Sequence, residues 1–230
     1  MLKKSIFITI LICLSALGIL AQKSPTTAKK IPNRVPFQPK ILTEISNTDW
    51  NNLAAALDSE DWNKSAVLAA QYLQNLKADN DKKQLAQLRY IYVYALAGKI
   101  LAANSQSNAL EAEKNWDELD RVMETFIGKE FVLPPRRFVE DCDKMLNVIC
   151  QVKASSNAFR TTATNREGNA IHSFDYVVFD QAVNIREFNA KPTFLGGILR
   201  KSEYNEDKSK PWVMRLFFNK GFVRVILPKS

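Results

Sequence analysis

The chain has 230 residues, 46% apolar and 10% aromatic, which is enough for a packed core and excludes a disordered body. Its 32 Lys and Arg outnumber 24 Asp and Glu, giving a net charge of +8 that favours anionic partners over cationic ones. A single histidine, no Cys-x-x-Cys and no phosphate-cradling glycine loop argue against zinc, triad and nucleotide chemistry.

The amino terminus carries the first pattern. Met1-Leu2-Lys3-Lys4 is basic, Ile6 to Leu20 is an apolar run, and Ala21 is small. That order predicts a secretory signal peptide over residues 1–21, cut between Ala21 and Gln22. The run is shorter than the ~20 residues a bilayer span needs. Membrane contact is therefore expected only through this segment, if it stays uncut. The Lys-Lys start and Ala-Gln junction resemble bacterial export signals, which implies a periplasmic or extracellular protein. Residues 22–45 hold Pro25, Pro32, Pro36 and Pro39 among basic residues. Prolines at that density prevent helix, so a basic tether is predicted.

Helical periodicity covers residues 46–146, the predicted helical domain. Ser46-x-x-Asp49 is a capping-box-like start for a helix through Trp50, Leu53 and Leu57. Asp58 or Ser59 is expected to cap a second helix with the stripe Trp62, Ala66, Ala69, Leu73 and Leu76. A third, from about Lys83 to Ala97, is apolar over most of its circumference, as a helix sandwiched between neighbours should be. Gly98 is expected to end or bend it. A fourth carries Leu110, Trp116, Leu119, Met123 and Phe126, with Gly128 as its stop. After Pro134-Pro135, Arg136 to Leu146 fits one more helix.

Asp61-Trp62-Asn63-Lys64-Ser65-Ala66, a helix, a polar turn, a second helix and Ala97-Gly98-Lys99 resemble a tetratricopeptide repeat. The resemblance covers residues 46–127, about two repeats. It implies protein binding on a concave helical surface, with Gly98-Lys99 as a turn. A plain antiparallel bundle would serve the same stripes.

Near residue 147 the rhythm changes from helical to alternating, and residues 147–230 are predicted to form a β-domain. Asn147 to Val152, Thr161 to Thr164, Ile171 to Phe179 and Thr193 to Leu199 read as strands. Asn165 to Asn169 reads as a turn, and Gly196-Gly197 as a bulge or corner. Trp212 to Phe218, Asn219-Lys220-Gly221 and Phe222 to Leu227 read as a hairpin. The fold class expected is α+β, with the strands in a small antiparallel barrel or curled sheet. Its size, strand number and basic charge are similar to an oligonucleotide/oligosaccharide-binding barrel.

Charge is unevenly distributed. Residues 41–150 hold twelve basic and seventeen acidic side chains, whereas residues 151–230 hold thirteen and seven. In the β-domain, Arg200, Lys201, Arg215, Lys220 and Arg224 lie near Trp212 and several phenylalanines. Cations interleaved with rings are how polyanions are held, so these six residues are a candidate anionic-ligand surface. The alternative is ordinary alternation, with rings inward and charges outward.

No catalytic, cofactor or metal residue is assigned. His172 is expected at a strand edge or the surface. Glu111, Glu113, Asp117, Glu118 and Asp120 fall on the polar side of a helix, and a hydrolase would need two carboxylates in a cleft. Two buried free thiols are the default reading for Cys142 and Cys150, and a disulfide between them is feasible only if the helix carrying Cys142 ends before Cys150. The expectation is a non-enzymatic exported protein that contacts a protein partner through its helices. The alternative is that its β-domain binds an acidic polysaccharide or nucleic acid.

Overall fold

Ser46 starts the first helix as its side chain implies, its Oγ accepting from the Asp49 amide at 3.1 Å. The computed structural model describes residues 44–76, 82–140, 146–153, 155–188, 190–207 and 212–226. Segment 1–21, nearly all of the tether, and Cys142 lie outside the described residues. All described residues belong to one compact unit, residues 39–230.

Four helices come first: α1 (Asn47–Asp58), α2 (Trp62–Asn75), α3 (Lys82–Ser105) and α4 (Ala109–Phe126). Asp61, rather than Asp58 or Ser59, caps α2, accepting from the Lys64 amide at 3.1 Å. The reason is Glu60, whose left-handed φ of 58° ends α1 and resets the chain direction. Asn108 caps α4, and Gly128, at φ 80°, follows its end.

α3 is longer than its periodicity suggested and passes through Gly98-Lys99 without a turn. Gly98 serves packing instead. A Cβ there would lie 2.5 Å from Cδ2 of Trp62, so the missing side chain lets the indole lie against the helix backbone. α3 packs on α2 and α4, and also on the sheet, which accounts for its apolar circumference.

The strands are β1 (Glu130–Val132), β2 (Arg136–Arg137), β3 (Ile149–Gln151), β4 (Ala158–Thr164), β5 (Ala170–Val178), β6 (Pro192–Tyr204) and β7 (Met214–Val225). They form one sheet in the order β1-β6-β7-β5-β4-β3, with β2 also on β6. The fold is α+β. The sheet is mixed, because β5 and β7 run parallel, and its ends do not pair, so it is neither a closed barrel nor purely antiparallel.

Two local expectations are corrected. Arg136 and Arg137 form a strand rather than the start of a helix, because Phe138 enters the core 5.2 Å from Phe159 and bridges Ile149. The predicted hairpin is one strand, β7, paired with β6 from Tyr204↔Met214 to Thr193↔Val225. Asn219, Lys220 and Gly221 form a bulge in it, with Lys220 at φ 48°. Gly196 and Gly197 lie opposite this bulge.

Residues 46–146 and 147–230, expected as two domains, contribute to one hydrophobic core. Leu96 and Ile100 of α3 and Leu119 of α4 pack with Phe131, Phe159, Val177, Leu199 and Phe218 of the sheet. A smaller cluster around Leu53, Ala69, Tyr72 and Leu88 joins α1 to α3. The strands before residue 147 explain why the parts do not separate: β1 pairs with β6 and packs on α3.

Candidate basic and aromatic sheet face

Helices cover one face of the sheet, where Leu195, Leu199, Phe218, Val177 and Phe159 are buried. Strand alternation sends their neighbours to the other face. There Arg160 of β4 is opposite Tyr176 of β5, Tyr176 is beside Phe217 of β7, and Phe217 is opposite Lys201 of β6. One row across four strands thus reads cation, ring, ring, cation. Three strand spacings put its ends about 14 Å apart.

The rings of Tyr176 and Phe217 are stacked, with centroids 5.2 Å apart and planes 8° from parallel. The Lys201 ammonium lies 4.4 Å from the centre of Phe217. The Arg160 guanidinium lies 4.8 Å from the centre of Phe174. Next along β7, Arg215 lies 4.4 Å from the Trp212 ring and is registered with Glu203. Among the described residues, Glu203 is an acidic neighbour in this patch and pairs with Lys201 at 2.5 Å.

The six residues singled out in the sequence do not form one cluster. Lys201, Arg215 and Trp212 come together on the patch just described. Arg224 is on the same face near the other end of β7, 5.7 Å from the Phe222 ring. With Lys83, Glu130, Val132, Phe194 and Phe222 it lines a separate cavity of about 320 Å³. Lys220 is exposed in the β7 bulge, and Arg200 is exposed where the β6–β7 register shifts. Arg160, Phe174 and Tyr176 were missed. Their signal was alternation: Arg160 and Tyr176 each sit between buried neighbours.

His172 is the clearest correction. It is 0% exposed, as is Asp175, and both face the core. Residues three apart on a regular strand point to opposite faces. A bulge on β5 between His172 and Asp175 restores them to one side. The Tyr90 hydroxyl of α3 donates to Asp175 Oδ2 at 2.8 Å. His172 Nδ1 lies 3.1 Å from the same oxygen and 3.3 Å from the Tyr90 hydroxyl. Burial, then the Asp175 charge, pushes Tyr90 far above the usual tyrosine range, although Arg136 opposes the shift. His172 Nε2 and Asp175 Oδ1 are buried without a hydrogen-bond partner. With His172 and Asp175 fully buried and Tyr90 nearly so, this cluster joins helix to sheet.

A groove of about 580 Å³ between α3, α4 and the start of β7 is lined by Trp116, Trp212, Glu113 and Asp117. Both carboxylates are exposed, whereas a general acid needs burial to keep its proton near neutral pH. Among the described residues, no three His, Cys, Asp or Glu side chains group so as to hold a metal ion. No described helix is long and apolar enough to cross a membrane. Cys150, on β3, is disulfide-bonded. The default of free thiols is therefore corrected at Cys150, and Cys142, the candidate partner, lies outside the described residues. No family model, curated protein or solved structure matches the chain.

Proposed function

We propose that the outer sheet face binds an anionic polymer, an acidic polysaccharide in the first instance. The observation that carries this is the row Arg160–Tyr176–Phe217–Lys201, with its parallel ring pair between two cations. Flat rings offer a face to sugars or bases, and the cations neutralise the repeating charge. The amino-terminal pattern, read as an export signal, favours a polysaccharide over a nucleic acid. Contact with a protein through the helices has less support. The large exposed apolar side chains of the described helices, Val67 and Leu110, lie on different helices, and singly exposed apolar residues are ordinary.

The test is titration with a heparin-like polymer and with a single-stranded oligonucleotide at several salt concentrations. Binding should weaken linearly on a log–log plot as counterions are released. The heparin-like polymer should bind the more tightly. Preference for the oligonucleotide would move the reading to nucleic acid. Absent or salt-independent binding of both would end it.

A further inference from the structure

A second cavity, of about 230 Å³, lies where α1, α3 and the early strands meet. Tyr90, Ile91 and Tyr94 of α3 line it with Leu57, Asp58, Pro134, Arg136, Asn147 and Thr164. Its apolar walls come from Leu57, Ile91, Pro134 and the two tyrosine rings. Its cation is Arg136, brought there because the chain after Pro134-Pro135 is extended.

Arg136 is held in place but not neutralised. Its Nη1 donates to Asn147 Oδ1 at 2.6 Å. Asn147, at φ 58°, is fixed in turn: its amide N–H donates to Thr162 Oγ1 at 2.9 Å, and its Nδ2 to Thr164 Oγ1 at 2.8 Å. The Nε of Arg136 is buried and has no hydrogen-bond partner. Among the described residues no carboxylate forms a salt bridge with the guanidinium. Asp58, the acidic lining residue, is exposed. The positive charge acts on both phenols, opposing the burial that raises Tyr90 and Tyr94. Those hydroxyls are already committed, Tyr90 to Asp175 and Tyr94 to the Thr164 carbonyl at 2.9 Å.

We infer that this cavity binds a small organic carboxylate with a compact apolar body. A guanidinium at the cavity wall with no carboxylate partner among the described residues attracts an anion, and a carboxylate can accept two parallel hydrogen bonds from a guanidinium. A carboxylate fits better than a phosphate. There is one cation for one negative charge, Asp58 disfavours a dianion, and the walls suit a hydrocarbon or ring. The volume is below the usual drug-sized range, so the ligand is small. This site lies on the helix side of the sheet and does not depend on the polymer reading.

The probe is benzoate, with neutral benzamide and inorganic phosphate as comparisons, followed by backbone amide resonances and calorimetry on the whole protein. Benzoate should bind saturably, shifting Ile91, Asn147 and Thr164, and about tenfold more tightly than benzamide or phosphate. Arg136→Gln should weaken benzoate about tenfold and leave benzamide unchanged. If that variant does not fold, Asn147→Ala, which frees the guanidinium, should weaken benzoate by a smaller factor. Equal binding of benzoate and benzamide, or tighter binding of phosphate, would overturn the inference. So would shifts confined to Lys201, Arg215 and Phe217, which would mean that benzoate found only the outer face.

Discussion

The hydroxyl of Tyr90 and the carboxylate of Asp175 meet at 2.8 Å in the middle of the core, 85 residues apart in sequence. This buried bond ties the central helix to the sheet. Tyr90→Phe keeps the ring and removes the donor, leaving a buried carboxylate with one fewer partner. The expected loss is about 2–3 kcal/mol, the upper range for hydrogen bonds to charged groups, measured by urea unfolding. A loss within 0.5 kcal/mol would mean that the carboxylate is satisfied in another way.

Alkaline pH should destabilise the protein through its tyrosines. Burial raises Tyr90, Tyr92, Tyr94 and Tyr204 above the usual value of 10.0, Tyr94 to about 12. Charges on Asp175 and Glu118 add to the shifts of Tyr90 and Tyr92. The folded state therefore keeps protons that the unfolded chain has released. This contribution is fully present below pH 10 and is lost as pH rises through the folded values. Urea midpoints followed from about pH 9 to about pH 12 should fall above pH 10, with tyrosinate absorbance appearing on unfolding. A flat profile would contradict the burial of these phenols.

Gly98→Ala should destabilise, although alanine is the better helix former. The gain in helix propensity is about 1 kcal/mol. Against it, the new methyl would meet three atoms of the Trp62 ring at 2.5–2.9 Å. That ring is held edge-on by Tyr94 at 5.4 Å. Overpacking of this kind costs about 1–3 kcal/mol. Combining the change with Trp62→Leu should recover part of the loss, which a double-mutant cycle in urea would reveal.

On the outer face, Arg215→Gln should lower the slope of log affinity against log salt by about one and weaken polymer binding uniformly. Tyr176→Ala removes half of the stacked pair. It should weaken binding by about 1–3 kcal/mol and leave the salt slope unchanged. Both would be read by fluorescence titration. Identical behaviour of the two variants would show that the rings do not contact the polymer.

Legibility in the sequence followed how local each interaction is. Ser46 caps α1 because its partner is three residues away. Asn165 and Asn169 close their turn at 2.9 Å as composition implied, with Gly168 at φ 84°. The outer-face row was only half legible. Alternation showed that Arg215 and Phe217 share a side, but which residues of β4, β5 and β6 join them depends on register.

The amino-acid pattern by itself determined the first four helices and an α+β composition, because periodicities of 3.6 and 2 and helix caps act within a few residues; the fifth helix it implied from Arg136 begins as a strand instead. Tertiary structure alone decided that β7 is unbroken: a long β6 offers hydrogen bonds along its whole length, and the Lys220 bulge absorbs the would-be turn. It also decided that His172 is interior, because one inserted residue in β5 reverses which way the side chain faces. Arg136 turns toward a cavity for the same kind of reason, since the sheet draws Phe138 inward and takes that segment out of a helix.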